Sequence, residues 1–145
     1  MLCGRDLHNS TVGIVGFGKI GQAIARRAHF GFGCKIRYHQ RNRDMEAESL
    51  FEAHFDSKLD TLLENSSFVV LVLPYSAATH HLIGREQIRK MRRDAFLINV
   101  ARGGIVNDKE LAEELKLNTI AGAGLDVFEG EPQICKDLLD LKNVW

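Results

Sequence analysis

Apolar residues along this chain follow two patterns. Some form short, nearly continuous runs, such as residues 67–73, and others recur every three or four positions, as they do after Lys19. Continuous runs are typical of parallel strands buried on both faces, and the second pattern is typical of helices with one apolar face. The expected strands are 11–15, 34–39, 54–55, 67–73, 95–100 and 119–126.

Helices are expected between these strands. The predicted helical segments are 19 to about 30, 45–51, 59–64, 85–91 and 109–116. Glycine ends helices, and Asp, Asn or Ser begin them by accepting a backbone hydrogen bond. The residues expected at these ends are Gly31 and Gly33 after the first helix, Asp56 or Ser57 before the third, and Asn107 or Asp108 before the fifth.

Strands that alternate with helices at this spacing predict an α/β fold. We expect a Rossmann-type, doubly wound parallel sheet with helices on both faces, three layers in all, built from residues 1–145 as a single domain. Ligands of such sheets bind beyond the carboxyl ends of the strands. The loops to inspect are therefore 16–21, 39–43, 74–79, 100–104 and 126–131.

Composition narrows the class of protein. The chain has 145 residues, 45% of them hydrophobic, and its 19 basic and 19 acidic side chains cancel. This balance argues against a nucleic-acid or membrane partner, and no apolar run is long enough to span a bilayer. The odd, widely spaced cysteines Cys3, Cys34 and Cys135 fit reduced thiols, so a cytoplasmic location is expected.

A glycine motif, G-x-G-x-x-G, links the first strand to the first helix. Gly16 permits the tight turn, Gly18 lets a pyrophosphate approach the backbone, and Gly21 lets the helix pack against the strand. Such a turn can be purely structural, but the strand before it and the helix after it favour dinucleotide binding. The coenzyme contacts expected here are Gly16, Phe17, Gly18, Lys19, Ile20 and Gly21.

The end of the second strand predicts which dinucleotide is bound. NAD sites place an Asp or Glu there to bind the ribose hydroxyls. This chain has His39, followed by Gln40, Arg41, Asn42 and Arg43. Both arginines are candidates to pair with a 2′-phosphate, alongside His39, so NADPH is favoured over NADH. The alternative is that both arginines are simply solvated.

Four stretches together resemble one family. They are TVGIVGFGKIG (11–21), LPYSAATHHLI (73–83), INVARGGIVND (98–108) and GAGLDVFEGEP (122–132). In this order they resemble the cofactor-binding domain of the D-isomer-specific 2-hydroxyacid dehydrogenases, over nearly the whole chain. The arginine-bearing ribose loop looks most like the glyoxylate/hydroxypyruvate reductase branch, and 2-ketogluconate reductases are similar to it as well.

The resemblance implies residue roles. It implies hydride transfer between the nicotinamide and C2 of a 2-keto or 2-hydroxy acid. Arg102 would grip the substrate carboxylate, and Glu131 would orient a catalytic histidine and raise its pKa. Asp126 would hold the carboxamide, and Val100 stands where many members carry Thr or Ser. The remaining coenzyme contacts that the resemblance implies are Leu73, Pro74, Ser76, Thr79, Val100, Ala101 and Arg102.

The resemblance places the catalytic histidine shortly after Asn143-Val144, in a T-P-H sequence, and none of the six histidines occupies a comparable position. It also implies a second, substrate-side domain. We therefore expect residues 1–145 to be a fragment that binds NADPH but reduces no substrate alone. A homodimer is expected, since the family pairs through this domain.

Two other functions remain open from the sequence. Transcriptional corepressors that sense dinucleotides share this fold and these motifs, although Arg102 and Glu131 together favour an enzyme. Formate dehydrogenase shares much of the cofactor domain, but its usual NAD preference counts against it. Glyoxylate or hydroxypyruvate is the expected substrate.

Overall fold

The computed structural model describes residues 5–145, so the expectation for Cys3 lies outside the described residues. The strands are β1 Thr11–Val15, β2 Lys35–His39, β3 His54–Phe55, β4 Phe68–Leu71, β5 Phe96–Asn99 and β6 Gly122–Leu125. All are parallel and form one sheet in the order β3-β2-β1-β4-β5-β6. The predicted doubly wound parallel sheet is confirmed.

Helices cover both faces of the sheet. They are α1 Lys19–Phe32, α2 Met45–Phe51, α3 Leu59–Asn65, α4 Arg85–Lys90, α5 Asp108–Lys116 and α6 Lys136–Leu139. Helices α1 and α2 pack on one face, where Ala25 and Phe51 join one core with Ile14. Helices α3 to α6 pack on the other face around Leu62 and Leu111. No helix among residues 5–145 has both the length and the apolar character that crossing a bilayer demands.

Neighbouring residues of one strand pack in different hydrophobic cores, which explains the continuous apolar runs. Ile14 belongs to the α1 side of the sheet and Val15 to the α3 side. Val69, Val70 and Leu71 of β4 alternate in the same way, and all three are buried. Successive side chains of a strand point to opposite faces, so a strand covered on both sides needs apolar residues throughout.

The predicted helix ends were partly wrong. Gly31 lies inside α1, which ends at Gly33, where φ is 64° and the N–H bonds to carbonyls of the last turn. Helix α3 has no side-chain cap; Asp56 instead accepts two hydrogen bonds from Arg37, at 2.8 and 2.6 Å. At α5 the cap is Asn107, whose Oδ1 accepts from a backbone N–H at 3.1 Å.

Candidate functional site

Two adjoining grooves lie at the carboxyl ends of the strands. The larger has a volume of about 860 Å³ and follows β4, β5 and β6, while the smaller, about 670 Å³, follows β1, β2 and β4. Residues 72–75 line both, so the grooves meet beside β4. The chain passes from β1 to β2 on one side and to β4 on the other, so this is the switch point where such sheets bind ligands.

The glycine turn after β1 is shaped by close backbone contacts. Gly16 has φ 93°, and a Cβ there would lie 2.7 Å from the carbonyl oxygen of Val72. A Cβ at Gly21 would overlap the carbonyl oxygen of Gly16. Only glycine therefore permits this turn together with this approach of α1.

The start of α1 is suited to bind an anion. Gly18 is exposed, and a Cβ there would meet no atom within 4 Å, so the space above it is open. The helix has no side-chain cap and no acidic residue in its first turn. Its first N–H groups and its positive dipole end are thus left to a ligand, and a pyrophosphate fits this arrangement.

The residues beside these glycines face different ways. Phe17 is buried and stacks on Tyr38, with ring centroids 4.2 Å apart, so its side chain anchors the turn from below. Ile20 is 66% exposed and lines the larger groove. Lys19 lies on a separate surface of α1 with Arg26 and Phe30. Phe17, one of the predicted coenzyme contacts, can therefore reach a coenzyme only through its backbone.

The loop after β2 closes the smaller groove. His39 lines it, and its Nδ1 is 2.8 Å from the carbonyl oxygen of Asp56. Gln40 follows it, and its Oε1 accepts the N–H of Phe17 at 3.1 Å. Arg41 is exposed and lines the groove. No hydrogen bond or ion pair of its guanidinium forms within residues 5–145.

Arg43, the second arginine predicted to pair with a 2′-phosphate, has a carboxylate partner in the structure. Its Nε and Nη2 each donate to a carboxylate oxygen of Glu48 at 2.8 Å. Tyr38 Oη donates to the same carboxylate at 2.6 Å. These two partners lower the pKa of Glu48 to about 2, while burial and Glu48 raise the pKa of Tyr38 to about 12. Of the two arginines, the one that lines the groove is Arg41.

The loop after β4 is held by its own hydroxyl groups. Thr79 Oγ1 accepts from the N–H of Ser76 at 2.7 Å and lies 3.0 Å from the carbonyl oxygen of Pro74. This turn presents a wall shared by the two grooves. The predicted contacts that line the smaller groove here are Leu73, Pro74, Ser76 and Thr79.

Asn99, which the sequence prediction missed, fixes the loop after β5. Its side chain is buried, its Oδ1 accepts the N–H of Ala101 at 3.1 Å, and its Nδ2 donates to the carbonyl oxygen of Arg102 at 3.1 Å. The Arg102 side chain is exposed in the larger groove, which Val100 and Ala101 also line. An Asn as the last residue of an apolar strand was the signal that could have identified this role.

The loop after β6 brings the second predicted catalytic residue to the same groove. Glu131 lines it, and its Oε1 accepts the N–H of Phe128 at 2.7 Å. A Cβ at Gly103 would overlap the carbonyl oxygen of Phe128, so this loop touches the one that carries Arg102. Asp126 is exposed at the end of β6. Arg102 and Glu131 thus share one groove, although no contact joins them among the described residues.

Four further residues beside this groove were not predicted: His80, His81, Asp108 and Glu129. His81 Nε2 lies 2.7 Å from Glu129 Oε1, and the N–H of Glu129 donates to Asp108 Oδ2 at 2.8 Å. Burial raises the pKa of Asp108. His80 lines the larger groove, and its Nδ1 lies 3.1 Å from Tyr75 Oη. The two contacts of Glu129 join residues distant in sequence and leave no local signal, which is why the motifs did not reveal them.

Comparison with known proteins agrees with this geometry. The sequence model of the D-isomer specific 2-hydroxyacid dehydrogenase, NAD binding domain, matches residues 1–145. A glyoxylate/hydroxypyruvate reductase B of Pectobacterium carotovorum is 52% identical over 143 residues, which are 97% of this chain and 44% of that protein. The chain thus spans less than half the length of this relative.

Solved structures are similar too. The D-mandelate dehydrogenase of Rhodotorula graminis superposes with a TM-score of 0.92 at 35% identity, over 97% of this chain and 41% of that one. An NADPH-dependent glyoxylate/hydroxypyruvate reductase of Sinorhizobium meliloti, crystallised with citrate, gives 0.86 at 36% identity, over 96% of this chain and 42% of that one.

Proposed function

Because this chain belongs to the D-isomer specific 2-hydroxyacid dehydrogenase family, as its NAD binding domain, we propose that it binds NADPH for the reduction of glyoxylate or hydroxypyruvate. The observation that carries the proposal is the pair of adjoining grooves. An uncapped helix start opens on one groove, and Arg102 and Glu131 line the other. A dinucleotide lying across residues 72–75 would reach both.

The adenosine end favours NADPH over NADH. Arg41 faces the smaller groove, and a guanidinium there would pair with the 2′-phosphate through charge-assisted hydrogen bonds. The first carboxylate after β2 is that of Asp44, which precedes α2. It accepts hydrogen bonds from the backbone N–H of Ala47 and from Nε2 of Gln22. It is therefore committed to capping rather than to the ribose. The Sinorhizobium meliloti relative is named NADPH-dependent, which supports the same preference.

The protein's own contribution at the nicotinamide end is to bind and orient the keto acid. The nicotinamide supplies the hydride when it is bound. Arg102 holds the substrate carboxylate with paired N–H donors and polarises the keto oxygen, while Asn99 fixes the Arg102 backbone. Glu131 has one carboxylate oxygen on the N–H of Phe128 and the other available for the histidine that the family resemblance implies. Asp126, at the end of β6, would hold the carboxamide.

A chimera tests the proposed reaction. Residues 1–145 would replace the matching segment of the Pectobacterium carotovorum relative, and NADPH oxidation would be followed with glyoxylate and with hydroxypyruvate. We expect turnover of both, and Arg102→Ala should lower kcat/KM by about 100-fold because transition-state charge loses its donors. A chimera that binds NADPH but reduces neither acid would contradict the proposal. The 145-residue chain alone should reduce neither acid.

We also propose that residues 1–145 form one domain of a longer enzyme that assembles as a homodimer in the cytoplasm. Cys34 and Cys135 are free thiols, which suits a reducing compartment. The reported relatives are named as reductases and dehydrogenases, which favours an enzyme over a dinucleotide-sensing corepressor. Light scattering of the purified chain and of the longer protein would test the assembly.

A further inference from the structure

His81 joins the three loops that surround the larger groove. It lies in the loop between β4 and α4, and its backbone N–H donates to the carbonyl oxygen of Gly104, after β5, at 2.7 Å. Its ring Nε2 lies 2.7 Å from Oε1 of Glu129, after β6. The backbone of His81 has φ 50°, a left-handed conformation that costs free energy at a residue other than glycine. The surrounding contacts hold the residue there.

Asn107 favours the tautomer of His81 that carries its proton on Nε2. Because Asn107 Oδ1 accepts the N–H of Glu110 at the start of α5, its Nδ2 is the atom that faces His81 Nδ1, at 3.5 Å. An amide donor beside Nδ1 makes that nitrogen an acceptor and leaves the proton on Nε2, from which it is donated to Glu129.

The same tautomer argues against a metal site. His80, His81 and Glu129 place one possible ligand atom each within 4.8 Å of one another, and the two rings stack with centroids 3.8 Å apart. A metal ion bound through His81 Nε2 would have to displace the hydrogen bond between that nitrogen and Glu129. The cluster is therefore better described as a hydrogen-bonded clamp.

The clamp fixes the loop that carries Glu131. Glu129 is held on one side by His81 and on the other by Asp108, the buried first residue of α5, whose Oδ2 accepts the Glu129 N–H at 2.8 Å. Phe128, next to it, donates its N–H to Glu131. Fixing Glu129 therefore also fixes the backbone on which the Glu131 carboxylate depends.

We propose that His81 is a positioning residue for the nicotinamide half of the coenzyme. Through Gly104 and Glu129 it holds loops 100–104 and 126–131 in the arrangement that this half of the molecule requires. The inference rests on the proposed function, which places the nicotinamide beside these loops. The adenosine half lies against the smaller groove, which the clamp does not line.

The test compares two ligands on the 145-residue chain. NADPH would occupy both grooves, whereas 2′,5′-ADP would occupy the smaller one. His81→Leu should lower the affinity for NADPH about five- to tenfold, which is at the lower end of usual couplings between sites. The affinity for 2′,5′-ADP should stay unchanged. His81→Gln, whose amide puts a donor near the position of Nε2, should restore most of the NADPH affinity. His54→Leu, on the edge strand β3, is the matched control.

Each outcome decides the proposal. Equal loosening of both ligands would indicate general destabilisation and overturn positioning, as would unchanged affinity for both. If the unaltered chain bound neither ligand, the proposed function would fail. Hydrogen exchange of the Glu129 N–H would then test the clamp independently of ligand binding. His81→Leu should speed this exchange about tenfold, and His81→Gln should not. If His81→Leu does not fold, Glu129→Ala removes the acceptor from the other side and must give the same ligand pattern.

Discussion

At the scale of single residues, two arginines two positions apart have different surroundings. Arg43 is paired with Glu48, while Arg41 faces the smaller groove. A guanidinium without a carboxylate partner can accept a phosphate at little cost, whereas a paired one must first give up its partner. The proposed preference for NADPH therefore depends mainly on Arg41.

Arg41→Ala should lower the affinity for NADPH about tenfold and leave the affinity for NADH unchanged, because only NADPH carries the 2′-phosphate that the guanidinium would bind. Fluorescence titration of the reduced coenzymes measures both affinities. Arg26→Ala, which removes an exposed guanidinium from a different surface of α1, controls for net charge. Equal weakening of NADPH and NADH by Arg41→Ala would contradict the assigned role.

Glu48 predicts a pH dependence of stability. Its pKa in the folded chain is about 2, below its ordinary value of 4.5, so its ionised form stabilises the fold. This contribution is complete above about pH 4.5 and is lost as the pH falls toward 2. Glu48→Gln keeps an acceptor for Tyr38 but loses the charge beside Arg43.

The thermal unfolding midpoints of Glu48→Gln and the unaltered chain should therefore differ at pH 7 and converge as the pH falls through about 2. Glu46→Gln, on an exposed position of the same helix, should show no such convergence. A difference for Glu48→Gln that stays constant with pH would contradict the pairing.

At the scale of elements, different glycines of the turn after β1 serve folding and coenzyme binding. Gly21 is confined by the backbone of Gly16, while Gly18 faces open space in an extended conformation that alanine can adopt. Gly21→Ala should therefore destabilise the chain by about 1–3 kcal/mol through overpacking. Gly18→Ala should leave stability nearly unchanged and weaken NADPH at least tenfold, about the effect of losing one well-formed contact.

Urea denaturation and NADPH titration of this matched pair measure the two effects independently. If Gly18→Ala bound NADPH as tightly as the unaltered chain, the pyrophosphate would not lie on this turn. If Gly21→Ala were as stable as the unaltered chain, this would contradict the close packing of α1 against the backbone of Gly16.

Elements were predictable where the signal is local. Apolar runs located the central strands β1, β4 and β5, and the glycine motif located the start of α1, because strand burial and tight turns leave their mark on adjacent residues. The cap of α3 was mispredicted because Asp56 pairs with Arg37 on the neighbouring strand. The His81–Glu129 contact joins residues 48 positions apart, so only the fold brings it about.

At the scale of the whole molecule, the strand order accounts for the position of the site. With β1 and β4 adjacent at the centre of the sheet, the loops after β1, β2 and β4 enclose one groove, and those after β4, β5 and β6 the other. Motifs scattered from residue 16 to residue 131 are thereby brought to one edge of the sheet. The family resemblance drawn from those motifs is confirmed by the match over residues 1–145.

Calorimetric titration of the 145-residue chain with NADPH and, in parallel, with NADH at the same salt concentration tests the coenzyme site most directly. We expect one saturable site for NADPH, with an affinity about tenfold higher than for NADH, since one charge-assisted contact separates the two ligands. Absence of binding by both coenzymes, or tighter binding of NADH, would contradict the account.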